Sequence, residues 1–108
     1  MVARFDVYLV NLDETPSKDA KNTRPSVVLS PDEMNRHVGH VVVAPISSPS
    51  AGSGYPTRVP IDLLNSPRAI ILDQLRTVDK DRLVKKIGEI DKAARKVVID
   101  RLHELFAE

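Results

Sequence analysis

Residues 22–30 constrain the fold most, because a polar segment there leads through one arginine into a run of apolar residues. Pro25 favours an extended backbone at Arg24, since the proline ring crowds the helical conformation of the preceding residue. Residues 27–29, Val-Val-Leu, are typical of a buried β-strand. The pattern therefore predicts a guanidinium held at the start of a core strand, next to a polar loop.

A second stretch has the same pattern in reverse order, with the apolar residues first and the polar ones after them. Residues 41–46 are apolar, and the hydroxyls of Ser47 and Ser48 come directly after them. Two core strands that each carry a polar group at one end can place those groups together. We therefore predict a small phosphate-binding corner that contains Arg24 and Ser47.

The rest of the chain shows short strand patterns and few helical ones. Ser30, Pro31 and Glu33 form a helix-start signal for two turns, with Ser30 as the cap. Asp91 is predicted to cap a last helix that ends near Ala107, with an apolar stripe along one side. The strand patterns lie at residues 5–10, 25–29, 40–46, 57–61, 69–72 and 83–90. We expect a single domain over residues 1–108, mainly β with helices: a small SH3-like β-barrel closed by a C-terminal α-helix.

Composition excludes several classes of function. Sixteen basic and fifteen acidic residues leave a net charge of +1, so a polyanion would have to meet a local basic patch. The absence of cysteine excludes disulfides and thiolate metal sites. The histidines and carboxylates lack metal-ligand spacing, and no apolar run is long enough to cross a membrane. The sequence predicts a cytoplasmic protein without a metal or another cofactor.

Four blocks of sequence, taken in order, carry a resemblance to a known family. They are residues 24–30 (RPSVVLS), 35–36 (NR), 43–48 (VAPISS) and 72–79 (LDQLRTVD). With these blocks the chain resembles the MazF/PemK family of ribosome-independent endoribonuclease toxins from bacterial toxin–antitoxin pairs. The likeness extends from the first strand to about Ile90.

The resemblance implies a homodimeric SH3-like barrel that binds single-stranded mRNA in a groove and arrests growth. It implies cleavage by the ribose 2′-hydroxyl, which leaves a 2′,3′-cyclic phosphate and a 5′-hydroxyl. It also implies a cognate antitoxin as partner. The family's catalytic arginine corresponds to Arg24 and its catalytic threonine or serine to Ser47, with Ser48 as a weaker candidate. Asp19 stands where the family often has a glutamate.

Further residues are candidates for RNA binding because they are basic, aromatic or part of the segment that borders RNA in the family. These are Lys18, Lys21, Ser48, Tyr55, Arg58, Asp73, Gln74 and Arg76. Tyr55 offers a stacking platform, and Gln74 can read a base edge. Arg58 and the lysines are candidate phosphate contacts.

Several alternatives stay open from the residues alone. The proton of the 2′-hydroxyl can pass to Asp19 or to water. A two-histidine mechanism through His37 and His40 is less favoured than surface positions for both rings. The chain is also compatible with a CcdB-like toxin that poisons DNA gyrase through its C-terminal helix without catalysis, or with a barrel that binds RNA without cleaving it.

Overall fold

One curled antiparallel sheet dominates the computed structural model, which describes residues 1–12, 23–50 and 54–108. Its strands in that part of the chain are β1 (Asp6–Asn11), β2 (Thr23–Val28), β3 (His40–Ser47), β4 (Arg58–Leu63), β5 (Ser66–Ile71), β6 (Arg76–Asp79) and β7 (Leu83–Glu89). The helices are α1 (Asp32–His37) and α2 (Lys92–Phe106), and the two 3-10 turns are Leu72–Gln74 and Lys80–Arg82. The strand order is β4-β5-β3-β2-β1-β7, and β6 also pairs with β3.

Strand β3 joins the two halves of the sheet. It pairs with β2 through Ser26–Val28 and with β6 through His40–Val43. Its last two residues, Ile46 and Ser47, pair instead with Ile70 and Ala69 of β5. Strand β3 therefore places Ser47, in the sequence block 43–48, where the part of the sheet around β2 meets the β4–β5 hairpin.

The apolar run of β2 is continuous because both of its faces are buried. Val27 belongs to a large cluster that includes Ile46, Ile70 and Val98 of α2, all of them buried. Val28 faces a smaller cluster of valines from β1, β3 and β6. A strand covered on both faces has no polar side to alternate with, which explains the Val-Val-Leu pattern.

The start of α1 differs from the prediction. Pro31, not Ser30, is the N-cap, and no side chain caps the helix. The buried Ser30 hydroxyl instead donates to Asn35 Oδ1 at 2.6 Å and accepts from the Val42 amide at 3.1 Å. The prediction of a Ser30 cap was wrong because a contact twelve residues away in β3 takes up this hydroxyl.

Strands β4 and β5 form a hairpin whose turn comes earlier than the predicted one at residues 65–68. Leu63 pairs with Ser66, so the loop consists of Leu64 and Asn65 alone. Their φ angles are 50° and 65°, as a type I′ turn requires at both central positions. Leucine in this left-handed region costs about 1–2 kcal/mol because its Cβ crowds the following carbonyl.

Replacing Leu64 by asparagine, which tolerates the left-handed conformation, should raise the free energy of unfolding by about 1 kcal/mol. Little burial is lost, because Leu64 is 69% exposed. Denaturant unfolding with an unchanged m-value measures the gain. The variant Leu64→Ala also removes the leucine side chain but has no polar group to hydrogen-bond the local backbone, so its stability should match the parent. A less stable Leu64→Asn protein would contradict the turn assignment.

Helix α2 packs one side against the sheet. The Asp91 carboxylate caps it by accepting from the Ala94 amide at 2.8 Å, as predicted. Val98 is fully buried, whereas Phe106 at the end of the apolar stripe is 71% exposed. The sheet and this helix confirm the predicted mainly β fold with a small barrel-like sheet and a C-terminal helix.

Candidate active site

Arg24 lies near the start of β2, where Pro25 keeps the backbone extended. It pairs with Val10 of β1, and its side chain is exposed. The pairing of β2 with β3 is observed as far as Ser26 and Pro45. Before Ser26, the described pairing of β2 is with β1, and beyond Pro45 the described pairing of β3 is with β5.

Ser47 and Ser48 lie at the C-terminal end of β3. Ser47 is the last residue of β3, is half-buried and pairs with Ala69 of β5. Ser48 is exposed, and its hydroxyl lies 3.5 Å from the hydroxyl of Ser50. The ladder therefore holds the backbone of Ser47 in place, whereas Ser48 belongs to the following loop.

A cleft of about 520 Å³ brings these residues together at the β2, β3, β4 and β5 strands. Its lining contains three arginines, three hydroxyl residues and one amide: Arg24, Arg58, Arg68, Thr23, Ser47, Ser48 and Gln74. Pro25, Pro45, Ile46 and Ile71 complete it. The cleft therefore combines cationic and hydroxyl donors on a rigid apolar base, which suits a phosphodiester.

The three cleft arginines differ in how they are bound. Arg58 Nε donates to Asp73 Oδ1 at 2.7 Å and its Nη2 donates to Oδ2 at 3.0 Å, a bidentate ion pair. Within the described residues, the side chains of Arg24 and Arg68 make no hydrogen bond or ion pair. Two guanidinium groups of the cleft are therefore available to a ligand, while Arg58 is largely neutralised by its partner.

Asp73 is held in place by two residues of the β4 region. Thr57 Oγ1 donates to Asp73 Oδ1 at 3.0 Å, in addition to the Arg58 contacts. The hydrogen bond from Arg58 lowers the pKa of Asp73 below its ordinary value of 3.8, and the Thr57 hydroxyl adds to the effect. The carboxylate thus orders the Arg58 side chain at the edge of the cleft.

An NMR titration should place the pKa of Asp73 below 3.8 and show it rising toward that value in Arg58→Gln. Thr57→Val should produce a smaller rise, since its hydroxyl contributes less. Because the folded pKa is the lower one, the stabilisation is present above the unfolded pKa and is lost as pH falls through the folded one. An unchanged Asp73 titration in Arg58→Gln would contradict this pair.

The structure brings some of the predicted site residues together and leaves others apart. Five of them line the cleft: Arg24, Ser47, Ser48, Arg58 and Gln74. Tyr55, Asp73 and Arg76 do not line it, although Asp73 holds Arg58. Lys18, Asp19 and Lys21 lie outside the described residues. The roles assigned to all of these residues stay predictions.

Sequence reasoning missed Arg68, which also lines the cleft. The segment Ser66-Pro67-Arg68 resembles a turn, and so the prediction treated Arg68 as a loop residue. In the structure it is a strand residue that pairs with Ile61 of β4. Recognising Leu64 and Asn65 as a two-residue hairpin loop would have placed Arg68 in β5.

Two other features bear on the kind of site present. A depression of about 560 Å³ beside α2 is lined almost wholly by apolar groups, including Leu29, Leu75, Leu102 and Phe106, and so offers little for catalysis. In residues 1–12, 23–50 and 54–108, no three His, Asp or Glu side chains are grouped as a metal site would need. Across the same residues, no helix has the length and apolar character needed to cross a membrane.

A curled β-sheet with open arginines and strand-end hydroxyls in one cleft defines a small β-barrel protein whose cleft has the donors that an anionic ligand needs. The sequence profile described as "PemK-like, MazF-like toxin of type II toxin-antitoxin system" matches residues 3–106. The chain therefore belongs to this family of toxins.

Individual relatives agree with the family match. The chain is 33% identical over 102 residues to a protein named endoribonuclease MazF from Staphylococcus saprophyticus, covering 90% of this chain and 85% of the relative. Together with the family match, this relative confirms the prediction of a MazF/PemK-type toxin endoribonuclease over the CcdB-like alternative.

Solved structures share the fold. A mycobacterial endoribonuclease in complex with its cognate antitoxin superposes with a TM-score of 0.79 at 23% identity, covering 96% of this chain and 93% of that one. A MazE–MazF structure from Deinococcus radiodurans gives 0.78 at 22% identity, with 98% and 95% covered. At these identities the likeness supports the barrel fold and no residue role.

Proposed function

We propose that this toxin cleaves single-stranded mRNA in the cleft between Arg24 and Ser47, by attack of the ribose 2′-hydroxyl on the adjacent phosphorus. The observation that carries the proposal is the cleft that Arg24 and Ser47 both line, in which the Arg24 guanidinium has no partner among the described residues. We further propose that the reaction is sequence-specific, needs no ribosome and no metal, and takes place in the cytoplasm.

The chemistry follows from where charge develops. The 2′-oxygen forms a bond to phosphorus and loses its proton, while the bond to the 5′-oxygen breaks and that oxygen gains a proton. Products are a 2′,3′-cyclic phosphate and a 5′-hydroxyl. Negative charge builds on the non-bridging oxygens, to which Arg24 presents parallel N–H donors and Ser47 a hydroxyl. Preorganised donors of this kind usually supply most of the transition-state stabilisation in an enzyme.

The proton of the 2′-hydroxyl needs an acceptor. None of the described residues that line the cleft is Asp, Glu or His, and arginine does not act as a base in proteins. Asp19, five residues before Arg24 in the sequence, is our candidate for this role. A carboxylate there would accept the proton at neutral pH, since the ordinary pKa of aspartate is about 3.9.

Recognition of the RNA is assigned to the groups around Arg24 and Ser47. Gln74 lines the cleft and carries both a donor and an acceptor for a base edge. Arg58, positioned by Asp73, adds the N–H donors that are not bonded to that carboxylate. We extend this surface to Lys18, Lys21, Ser48, Tyr55 and Arg76.

Cleavage by the pure protein tests the proposal. A long single-stranded RNA is incubated with the protein in chelating buffer, and the new ends are analysed. We expect a few discrete cuts, each with a 2′,3′-cyclic phosphate and with a 5′-hydroxyl that polynucleotide kinase can label. Intact RNA in the presence of folded protein would contradict a nuclease. Activity that appears only with added Mg²⁺ would contradict metal independence.

Ser47→Ala should lower kcat by about 10²-fold, whereas Ser48→Ala should change it less than threefold, because only Ser47 is positioned by the β3 ladder. Both substitutions remove one hydroxyl of the same size, so each serves as control for the other. Single-turnover cleavage of one defined RNA measures the difference. The reverse order would move the catalytic role to Ser48.

We propose an antitoxin and a second copy of the chain as protein partners. The mycobacterial endoribonuclease was solved with its cognate antitoxin, and the Deinococcus structure is named as MazE–MazF. An acidic, flexible antitoxin segment would bind the same unpaired arginines as RNA. The apolar depression beside α2, where Phe106 is 71% exposed, is a surface that a protein partner can cover.

A further inference from the structure

Arg68 occupies the junction between the cleft and a second depression. The second depression, about 530 Å³, lies between the β4–β5 hairpin and α2. Arg68 is the arginine that lines both of these cavities; Arg24 and Arg58 line the cleft, and Arg101 lines the second depression. A ligand that leaves the cleft on this side therefore passes Arg68.

The order of the strands sets where Arg68 lies relative to the proposed chemistry. Strand β3 runs between β2 and β5, and Ser47 at its end pairs with Ala69 of β5. Arg68 precedes Ala69 on β5 and, like Arg24 and Ser47, lines the cleft. A nucleic-acid strand that occupies the cleft therefore meets both arginines.

Arg68 is also open for binding, in contrast to Arg58. It is exposed and makes no hydrogen bond or ion pair within the described residues. Arg58 already has two donors committed to the Asp73 carboxylate. A phosphate that reaches Arg68 therefore does not have to displace a protein carboxylate, and the interaction keeps its full charge-assisted strength.

The lining of the second depression indicates which part of a bound RNA fits beyond Arg68. Pro60, Ile61 and Val97 provide apolar surface, which suits a base more than a phosphate. Two carboxylates also line it, Asp62 and Asp91, and the latter is occupied in capping α2. These carboxylates offset the charges of Arg68 and Arg101, so the second depression attracts a phosphate less than the cleft does.

We propose that Arg68 binds a phosphate of the RNA that flanks the scissile one, and guides the strand from the cleft over the β4–β5 hairpin. Arg68 contributes to substrate binding and not to the chemical step. The inference rests on the proposed nuclease function and adds a substrate contact to it.

Steady-state cleavage of a defined RNA by Arg68→Gln tests the assignment, with Arg36→Gln as the control. We expect KM to rise roughly fivefold with kcat unchanged, as for loss of one exposed phosphate contact. The plot of log affinity against log salt should become shallower by about 0.7 for one lost contact to a single strand. Arg36 is an exposed arginine of α1 that lines neither cavity, so Arg36→Gln should keep parental values.

Neutral phosphates identify the contact without relying on the folding of a variant. RNAs that carry one methylphosphonate linkage at successive positions are compared with the parent RNA. We expect one flanking linkage to raise KM for the unaltered protein and to have no additional effect on Arg68→Gln. Arg68→Lys, which keeps the charge, should recover most of the binding.

Three results would overturn the assignment: an unchanged KM in Arg68→Gln, an equal loss in Arg36→Gln, or a fall in kcat at constant KM. A methylphosphonate series in which no flanking linkage affects KM would also overturn it. Failure of the unaltered protein to cleave RNA is a different outcome and would reject the proposed function instead.

Discussion

Arg24→Ala should lower kcat for RNA cleavage by about 10²–10³-fold, corresponding to about 2.7–4 kcal/mol of barrier for one lost preorganised donor site. The reason is the position of Arg24: it lines the same cleft as Ser47, and none of the described residues binds its guanidinium. RNA affinity should fall much less, since Arg58 and Arg68 remain in the cleft. Single-turnover kinetics and RNA binding measured separately resolve the two effects.

Two further variants sharpen this prediction. Arg24→Lys keeps the charge but loses the planar pair of donors, so it should recover only part of the lost rate. Arg36→Ala removes another exposed arginine, one paired with Glu33 at 2.8 Å on α1, and should leave kcat unchanged. Full activity in Arg24→Ala, with its fold intact by circular dichroism, would end the case for a catalytic Arg24.

Ile70→Ala should lower the free energy of unfolding by about 2–5 kcal/mol, because truncating a buried isoleucine removes apolar contacts and leaves a cavity. Ile70 is fully buried in the large core cluster and pairs with Ile46 of β3 and Val59 of β4. It therefore lies between the two strands that carry Ser47 and Arg58. For a chain of this size, each kcal/mol corresponds to about 4–8 °C in melting temperature.

Conservative truncation provides the control for Ile70. Ile70→Val should cost about 0.5–1.5 kcal/mol, since one methylene is lost. Thermal and denaturant unfolding of both variants measure the series, with RNA cleavage assayed well below each melting temperature. A loss in Ile70→Ala no larger than in Ile70→Val would show that this part of the sheet is not packed as described.

Much of the candidate site was predictable because its determinants are local. Pro25 restricts Arg24 to extended backbone, and the apolar runs on either side of the cleft are typical of buried strands. The family resemblance then aligned Arg24 with Ser47, and the structure lines one cleft with both. The Asp91 cap of α2 also depends on only four consecutive residues and was predicted correctly.

Other features depend on residues far apart in the chain. The Arg58–Asp73 ion pair joins residues fifteen apart, and it engages the Arg58 guanidinium with a protein carboxylate. The Ser30 hydroxyl does not cap α1, because it bonds to Val42 of β3, twelve residues further along the chain. Propensity describes a residue's own backbone, and it carries no information about such partners.

By itself, the sequence determined six of the seven described strands, the closing helix, the family and the pair of residues on which catalysis is proposed to depend; β6 (Arg76–Asp79) was not predicted. These follow from local backbone preferences and from short motifs that need no partner. Only the tertiary structure decided which arginines are open, with Arg24 and Arg68 unpaired among the described residues and Arg58 held by Asp73. The physical reason is that strand register, set by packing across the sheet, determines which charges become neighbours.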